Sequence, residues 1–595
     1  MSDYKAPIQD IHFLLYEAFG IDHFWSKQPQ LNELIDKDTA NAILEEGAKF
    51  LEQEVAPLNR KVDEYGAYWS DGKVYAPKDF TETYKAFCDG GWNALGGPTE
   101  FGGLGMPKTL TASIEEITQG ASMAFGLIPM LTAGACLALK SHGSQSLQDK
   151  YLPHLYSGKW SGAMDLTEPH AGTDLGLIHT KAIKNQDNSY RITGNKIFIT
   201  WGDHQLSENI VHLVLAKTPD APAGAKGISL FLVPKFLVKD NGSLGEQNGV
   251  SCGSIEKKMG IKGSATCVMN FDCAQGWLIG EENQGLSCMF TMMNYERLAV
   301  GIQSLAVAER SYQNALTYAR ERRQGRSPSG AQSPNSAADS LLVHPDVRRM
   351  LLDMKVHTEG ARALSIYIAK LLDIAKYEKD SHELHKANDL IALLTPVAKA
   401  FVSDKAFNTC VLGQQILGGH GYVREWGQEQ LVRDVRITQI YEGANGIQAM
   451  DLLGRKVVNS NGELLNRFTE EVREFLKENG HKVAMNKLTR PLTKSISKLA
   501  DSADKVMEGQ KEDATMIGAS ANHFLNQFGL TALAYMWAKM AVSASESQNP
   551  YDDFYQGKIN SAQYFFDQHL PYIDYHHTAI SSAKQSVMRF NDNQF

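Results

Sequence analysis

Residues 190–200 read YRITGNKIFIT, and their texture decides the fold class. β-Branched and aromatic residues crowd a short run broken by Gly and Asn, which is the composition of a strand. The same texture recurs in IVHLVLAKT (210–218), GISLFLVPKFL (227–237) and ATCVMNFD (265–272), with Gly, Asn, Asp and Pro clusters between the runs. A compact β domain is therefore expected over residues 161–285. On either side the period changes. TLTASIEEITQGASMAFGLIPMLTAGACLALKSHG (109–143) carries apolar residues at intervals of three and four, broken by glycines, as a helix face requires. The turn GGPTEFGGLGMP (96–107) separates it from the helical pattern before it. In LAVAERSYQNALTYARERR (305–323), Leu305, Ala308, Tyr312, Ala315 and Ala319 fall on one face, with charges elsewhere.

The order helices, β domain, helices predicts a mostly α protein with a central β-barrel or sandwich. Five segments are expected: an N-terminal extension (1–39), an N-terminal helical domain (40–160), the β domain, a helical bundle (286–460) and a further C-terminal helical domain (465–595). SPSGAQSPNSAADS (327–340) is small, polar and proline-bearing and reads as an exposed loop. The runs after residue 465, such as HFLNQFGLTALAYMWAKMAVSA (523–544), suggest amphipathic helices in antiparallel packing. No Gly-x-Gly-x-x-Gly follows a strand, which argues against a Rossmann domain.

Composition removes several function classes. A chain of 595 residues with 43% apolar and 21% charged residues is an ordinary globular protein with more than one core. A net charge of −9 without a Lys/Arg run speaks against a nucleic-acid surface. The start, MSDYKAPIQDIHFLLYEAFG, lacks the basic start and unbroken apolar stretch of a secretory signal and is expected to be mature sequence. No run reaches the roughly 18 consecutive apolar residues of a membrane span. Seven scattered cysteines, none in a Cys-x-x-Cys pair, suggest reduced thiols in a cytoplasmic protein. The neighbours His576 and His577 point in different directions on a helix and have no third ligand nearby, so no metal site is expected.

Specific words now accumulate. MDLTEPHAGTDLG (164–176), KIFITWG (196–202), ERRQGR (321–326), QILGGHGY (415–422) and QIYEGANGIQ (439–448) stand in that order, and the order and approximate spacing resemble the acyl-CoA dehydrogenase family. The resemblance covers residues 40–460, and the N-terminal segment and helical tail are similar to a larger bacterial branch of that family. It implies FAD as cofactor, an acyl-CoA substrate, electron transfer flavoprotein as electron acceptor and a homodimer in which the extra helical domain takes the place of a second dimer.

The chemistry of that activity gives the motifs roles. Taking a proton from Cα and a hydride from Cβ of an acyl thioester needs a base facing a hydride acceptor. No side chain accepts hydride, whereas a flavin does. By resemblance, Met164, Leu166, Thr167, Gly172 and Thr173 contact the flavin and its pyrophosphate, with Thr173 also near the substrate. In KIFIT, Phe198 and Thr200 are two apart, so an extended strand puts both on one face, with Ile199 between them. The family usually has tryptophan where Phe198 stands. Trp201 faces away and is expected to pack. Arg322, Gln415, Gly418 and Gly419 match positions that hold the nucleotide of a neighbouring subunit.

Glu442 matches the family's usual base, with Gly443 beside the thioester. The residue types also allow a plain helix N-terminal acid at this place. Glu296, in MMNYERLAVG (292–301), stands where other members keep the base, and is the alternative. Arg297, Asn294 and Thr218 match positions around the pantetheine arm or the catalytic loop. Ala444 and Gly446 depart from the hydroxyl and amide residues that many relatives carry. An oxidase or monooxygenase on the same fold and a silent acyl-CoA-binding protein are the competing classes; an acidic base argues against the last two. Acyl chain length is not legible, and a methylthio-propanoyl thioester stands beside ordinary fatty acyl groups. A peripheral membrane contact through the tail is the alternative to a helical bundle packed on the core.

Overall fold

The computed structural model describes residues 4–595. The chain forms two compact units, one of Glu46–Pro107 and Ile117–Ala299, the other of Met1–Glu45, Lys108–Glu116 and Val300–Phe595.

The former holds the β domain: β1 (Trp160–Asp165), β2 (Lys181–Lys184), β3 (Tyr190–Thr200), β4 (Asn209–Lys217), β5 (Ile228–Pro234), β6 (Val250–Ile255) and β7 (Thr266–Ile279). At 14 residues, β7 is long enough to pair with β6, β3 and β5. β5 pairs with β4, β4 with β2, and β2 with β3. The strands β7, β3, β2, β4 and β5 therefore close into a barrel, which leaves no open edge among these five, with β6 paired outside the ring on β7. β4 and β5 are apolar without alternation because both their faces are buried.

β3 breaks the expected alternation. Lys196 pairs with Met269 and Ile199 with Cys267, so β3 carries one extra residue and bulges. Phe198 sits in the bulge at φ +61°. It does not share an extended face with Thr200, and the residue is 59% exposed. Trp201 packs as expected: it is buried, and its Nε1 lies 3.4 Å from the Ala124 carbonyl.

Helix α1 (Met123–His142) lies on β1. The Gly162 N–H donates to Thr132 Oγ1 at 3.1 Å, and a Cβ on Gly162 would stand 2.5 Å from the Ala135 methyl. The Gly, Thr and Pro residues of α1 interrupt every apolar run, yet the helix is long and apolar enough to cross a membrane, with a mean hydropathy of 1.6; 78% of that window is buried inside the protein.

The other unit takes in the end of α2 (Gly285–Glu321), then α3 (Pro345–Tyr377), α4 (Ser381–Leu417), α5 (Asn445–Met450), α6 (Glu463–Asn479), α7 (Thr489–Glu512), α8 (Thr515–Ser545), α9 (Asp553–Gln568) and α10 (Tyr572–Val587). The predicted face of α2 is buried at Leu305, Ala308, Ala315 and Ala319, and Glu309, which borders that face four residues after Leu305, is buried with it and accepts from Arg362 Nη2 at 2.7 Å. Arg362 on α3 also donates to Glu116 at 2.8 Å and Asp10 at 3.2 Å. Lys558 on α9 binds Asp10 and Glu359.

The tail is helical as expected, but α8 is not amphipathic. Every residue from Gln527 to Ala538 is buried, because α8 runs through the middle of the helices. Trp537 Nε1 donates to the Val356 carbonyl of α3 at 3.0 Å, and Gly529 lies so close to Phe401 of α4 that a Cβ would stand 2.2 Å from the ring. The loop 327–340 is exposed or half-buried apart from buried Asp339, which accepts the N–H groups of Ser327, Gln332 and Ser333. Those N–H groups, Ser327 first, together with Arg326 hold its carboxyl at about 2. His576 and His577 diverge: the former meets His523, the latter Ser502 and Asp501.

Candidate active site

In the barrel unit, β1 runs into a loop that carries Leu166, Thr167, Gly172 and Thr173. The Ile197 N–H donates to the Thr167 carbonyl at 2.9 Å, which ties the loop to β3 beside the bulge. Glu168 and Ala171 exchange both backbone bonds at 3.0 Å and fold the chain tightly. Beneath the turn lies a pair that motif reading missed. Lys196, fully buried, donates to the Leu166 carbonyl at 3.0 Å and to Glu168 Oε1 at 2.9 Å. Glu168 also accepts from His179 N at 2.7 Å, Thr180 N at 3.0 Å and Thr180 Oγ1 at 2.5 Å. Burial alone would raise the Glu168 carboxyl; Lys196 and the His179 and Thr180 donors hold it below the usual value. Burial draws Lys196 down against the attraction of Glu168. A glutamate before a proline and a lysine in a strand gave no local sign of this, because their meeting depends on the β1–β3 register.

The exposed side of this loop suits a flavin. The hydroxyls of Thr167, Thr173 and Thr200 hydrogen-bond to no other described residue, and a Cβ on Gly172 would meet nothing within 4 Å. Met164 and Thr200 are half-buried, Leu166 and Ile199 are buried, and Phe198 offers an exposed ring. Unpaired hydroxyls, an open glycine and an apolar ring match a flat, partly polar cofactor. Thr218 is half-buried just after β4. Also in this unit, Arg297 Nη1 donates to Asn294 Oδ1 at 3.1 Å on α2. Glu296 is fully buried, its Oε1 so close to α1 that a Cβ on Gly134 would lie 2.4 Å away.

In the helical unit, Glu442 and Gly443 lie in a half-buried loop before α5. Glu442 stands at φ +55° and Gly443 at +90°, so Glu442 is not part of the helix; the N-cap is Ala444. Left-handed backbone is uncommon for a residue with a Cβ, and it turns the Glu442 side chain off the path of an ordinary helix start. Lys399 of α4 donates to the Gly443 carbonyl at 2.7 Å. Neither Lys399 nor Asn445, which binds it, was singled out from sequence. Asn445 stands between the departures Ala444 and Gly446 and supplies an amide turned into α4.

Arg322, Gln415, Gly418 and Gly419 are exposed. The side chains of Arg322 and Gln415 hydrogen-bond to no other described residue, and a Cβ on Gly418 or Gly419 would meet nothing within 4 Å. An unpaired guanidinium with open glycines is a donor set for a phosphate or nucleotide. His420, between them in sequence, stacks on Trp426 at 4.2 Å and bonds Tyr318 at 2.9 Å, which props the turn from inside.

Comparison with known proteins identifies the family. Residues 37–159, 163–274 and 283–457 match the N-terminal, middle and C-terminal domains of acyl-CoA dehydrogenase, and 468–591 match the domain described as acetyl-CoA dehydrogenase C-terminal like. The chain is 41% identical to 3-methylmercaptopropionyl-CoA dehydrogenase of Ruegeria pomeroyi over 98% of this chain and 99% of that one. It is 33% identical to the broad-specificity linear acyl-CoA dehydrogenase FadE5 of Mycobacterium tuberculosis over the whole of both. In fold it is similar to an acyl-CoA dehydrogenase of Bacillus anthracis complexed with FAD (TM-score 0.74, 21% identity, 99% of this chain and 93% of that one). Four domain matches in chain order and a relative at 41% identity over nearly the full length establish that the chain belongs to the acyl-CoA dehydrogenase family, FAD-dependent oxidoreductases acting on CH–CH groups.

Proposed function

We propose that this protein converts a linear fatty acyl-CoA to the trans-2-enoyl-CoA in β-oxidation and passes the electrons to electron transfer flavoprotein, with Glu442 as the base. The observation that carries the assignment is the backbone at Glu442: a left-handed glutamate followed by a left-handed glycine, in a loop of small residues ahead of a helix. FAD, when bound, would supply the acceptor for the hydride lost from Cβ. The Glu442 carboxylate takes the proton from Cα, and the electron pair of that C–H bond becomes the new double bond as the β C–H bond breaks. The Glu442 N–H is a donor for the thioester oxygen, whose growing charge it stabilises. Thr167, Thr173, Thr200 and Phe198 hold and orient the cofactor, and Arg297, Asn294 and Thr218 contact the CoA arm. Arg322, Gln415, Gly418 and Gly419 hold the nucleotide of a second copy, which makes the active form a homodimer.

A second reading, a 3-(methylthio)propanoyl-CoA dehydrogenase, is favoured by the Ruegeria relative's name and identity. A panel of acyl-CoAs from short to long, with the methylthio thioester included, separates the two by kcat/KM. For the base, Glu442→Gln is expected to retain FAD and lose anaerobic flavin bleaching by about 10²–10⁴-fold, while Glu296→Gln loses less. The reverse ranking moves the base to α2. Rapid peroxide formation on admitting oxygen to the substrate-reduced enzyme would make it an oxidase.

A further inference from the structure

Lys399 is 0% exposed on α4, where an ammonium is costly unless its hydrogen bonds are met. Its Nζ donates to the Gly443 carbonyl at 2.7 Å and to Asn445 Oδ1 at 2.8 Å. Asn445 returns its own amide to α4, donating to Ser403 Oγ at 2.9 Å and Asp404 Oδ1 at 2.7 Å. Upstream, Gln439 Nε2 donates to the same Asp404 oxygen at 2.7 Å. One stretch of α4, residues 399–404, thus grips the loop on both sides of Glu442 and Gly443. Between the grips lie the two left-handed residues, a conformation that persists only where the surroundings over-determine it. The bond at the Gly443 carbonyl is charge-assisted and therefore stronger than a neutral one.

We propose that Lys399, seated by Asn445, is a positioning residue for the reaction: it fixes the Gly443 carbonyl and so aims the Glu442 carboxylate and the Glu442 N–H. This rests on Glu442 being the base. The ammonium acts through the loop, by its bonds to Gly443 and Asn445, and its loss leaves the binding groups in place while the base drifts.

The test uses the FAD-loaded full chain and an acyl-CoA that it oxidises. Lys399→Met is expected to keep its FAD and a KM within about threefold of wild type while kcat falls about 10²-fold, the cost of a misplacement near 1 Å. Exchange of the α-proton in D2O, which needs only the base, falls in parallel. Asn445→Ala loses less, and the double variant is no worse than Lys399→Met because the two act as one unit. Lys405→Met removes a lysine of the same helix that lies over Phe401 and stays near wild type. A Lys399→Met kcat within about fivefold of wild type overturns the proposal, as does an equal loss in Lys405→Met. If Lys399→Met does not fold with FAD, Asn445→Ala decides, and an unchanged kcat there overturns it. Glu442→Gln that still bleaches flavin fails the base and the clamp together; a dead Glu442→Gln beside an active Lys399→Met fails the clamp alone.

Discussion

Arg362→Met tests how the N-terminal segment, the core helices and the tail are held together. Arg362 is fully buried and binds Glu116, Glu309 and Asp10. Methionine replaces much of its stem without charge, so little cavity remains and the effect is electrostatic. Two buried glutamates then lose their cation, and breaking a buried pair from one side costs about 3–5 kcal/mol. The unit has roughly 350 residues and an unfolding entropy of about 2.1 cal/mol/K per residue, so its midpoint should fall by about 4–7 °C. The pH dependence gives the sharper sign. Burial already raises Glu116 above its ordinary value of 4.5, with Arg362 the main counterweight. Without Arg362 the shift grows. An acid whose folded pKa is raised contributes stability below its unfolded pKa and loses it as pH rises through the folded one. The deficit of Arg362→Met is therefore largest in alkaline buffer and shrinks on acidification toward the ordinary value. Asp10, held at about 2 against burial by Lys558 and Arg362, adds stability that is present above its ordinary value of 3.8 and lost as pH falls toward 2. It leaves the comparison in neutral buffer intact. Calorimetric midpoints of both proteins in mildly acidic, neutral and alkaline buffer read this directly. Equal midpoints in alkaline buffer, or a deficit that widens on acidification, would refute the reasoning.

Two further outcomes are expected. Arg322→Ala should weaken FAD binding and the dimer together, by the about 1.5–3 kcal/mol of a lost charge-assisted hydrogen bond, read by flavin release and sedimentation; a stable wild-type monomer with tight FAD would contradict the shared site. Truncation after Ser460 removes α6–α10 and uncovers the α3 and α4 surfaces against which Trp537 and Gly529 pack, so light scattering should report aggregation; an unchanged soluble dimer would refute a packing role, and full-length protein pelleting with liposomes would assign the tail to a membrane surface.

What sequence made legible follows from where each residue's partner lies. Thr167, Gly172, Gly418 and Glu442 face outward or line loops, and their identities are set by local needs such as a hydroxyl, an open backbone or a carboxylate; short motifs report these directly. The groups that aim them are set by partners far along the chain. Lys196 meets Glu168 only through the barrel register, and Lys399 meets Gly443 across 44 positions. A lysine within a helical pattern reads as part of its solvated face, because periodicity averages over a whole face and cannot single out one charge turned inward. The same averaging hid α8, whose amphipathic signal vanishes when every side is buried. Phe198 shows the converse: its residue type was legible, but its direction depended on one extra residue relative to β7, and a slip of one residue turns a side chain to the other face. Residues whose identity answers a local need are thus easier to find than residues whose partners lie far along the chain. The difference falls on the Glu442 loop, where the glutamate is read from its neighbours in sequence and its left-handed backbone is held from α4.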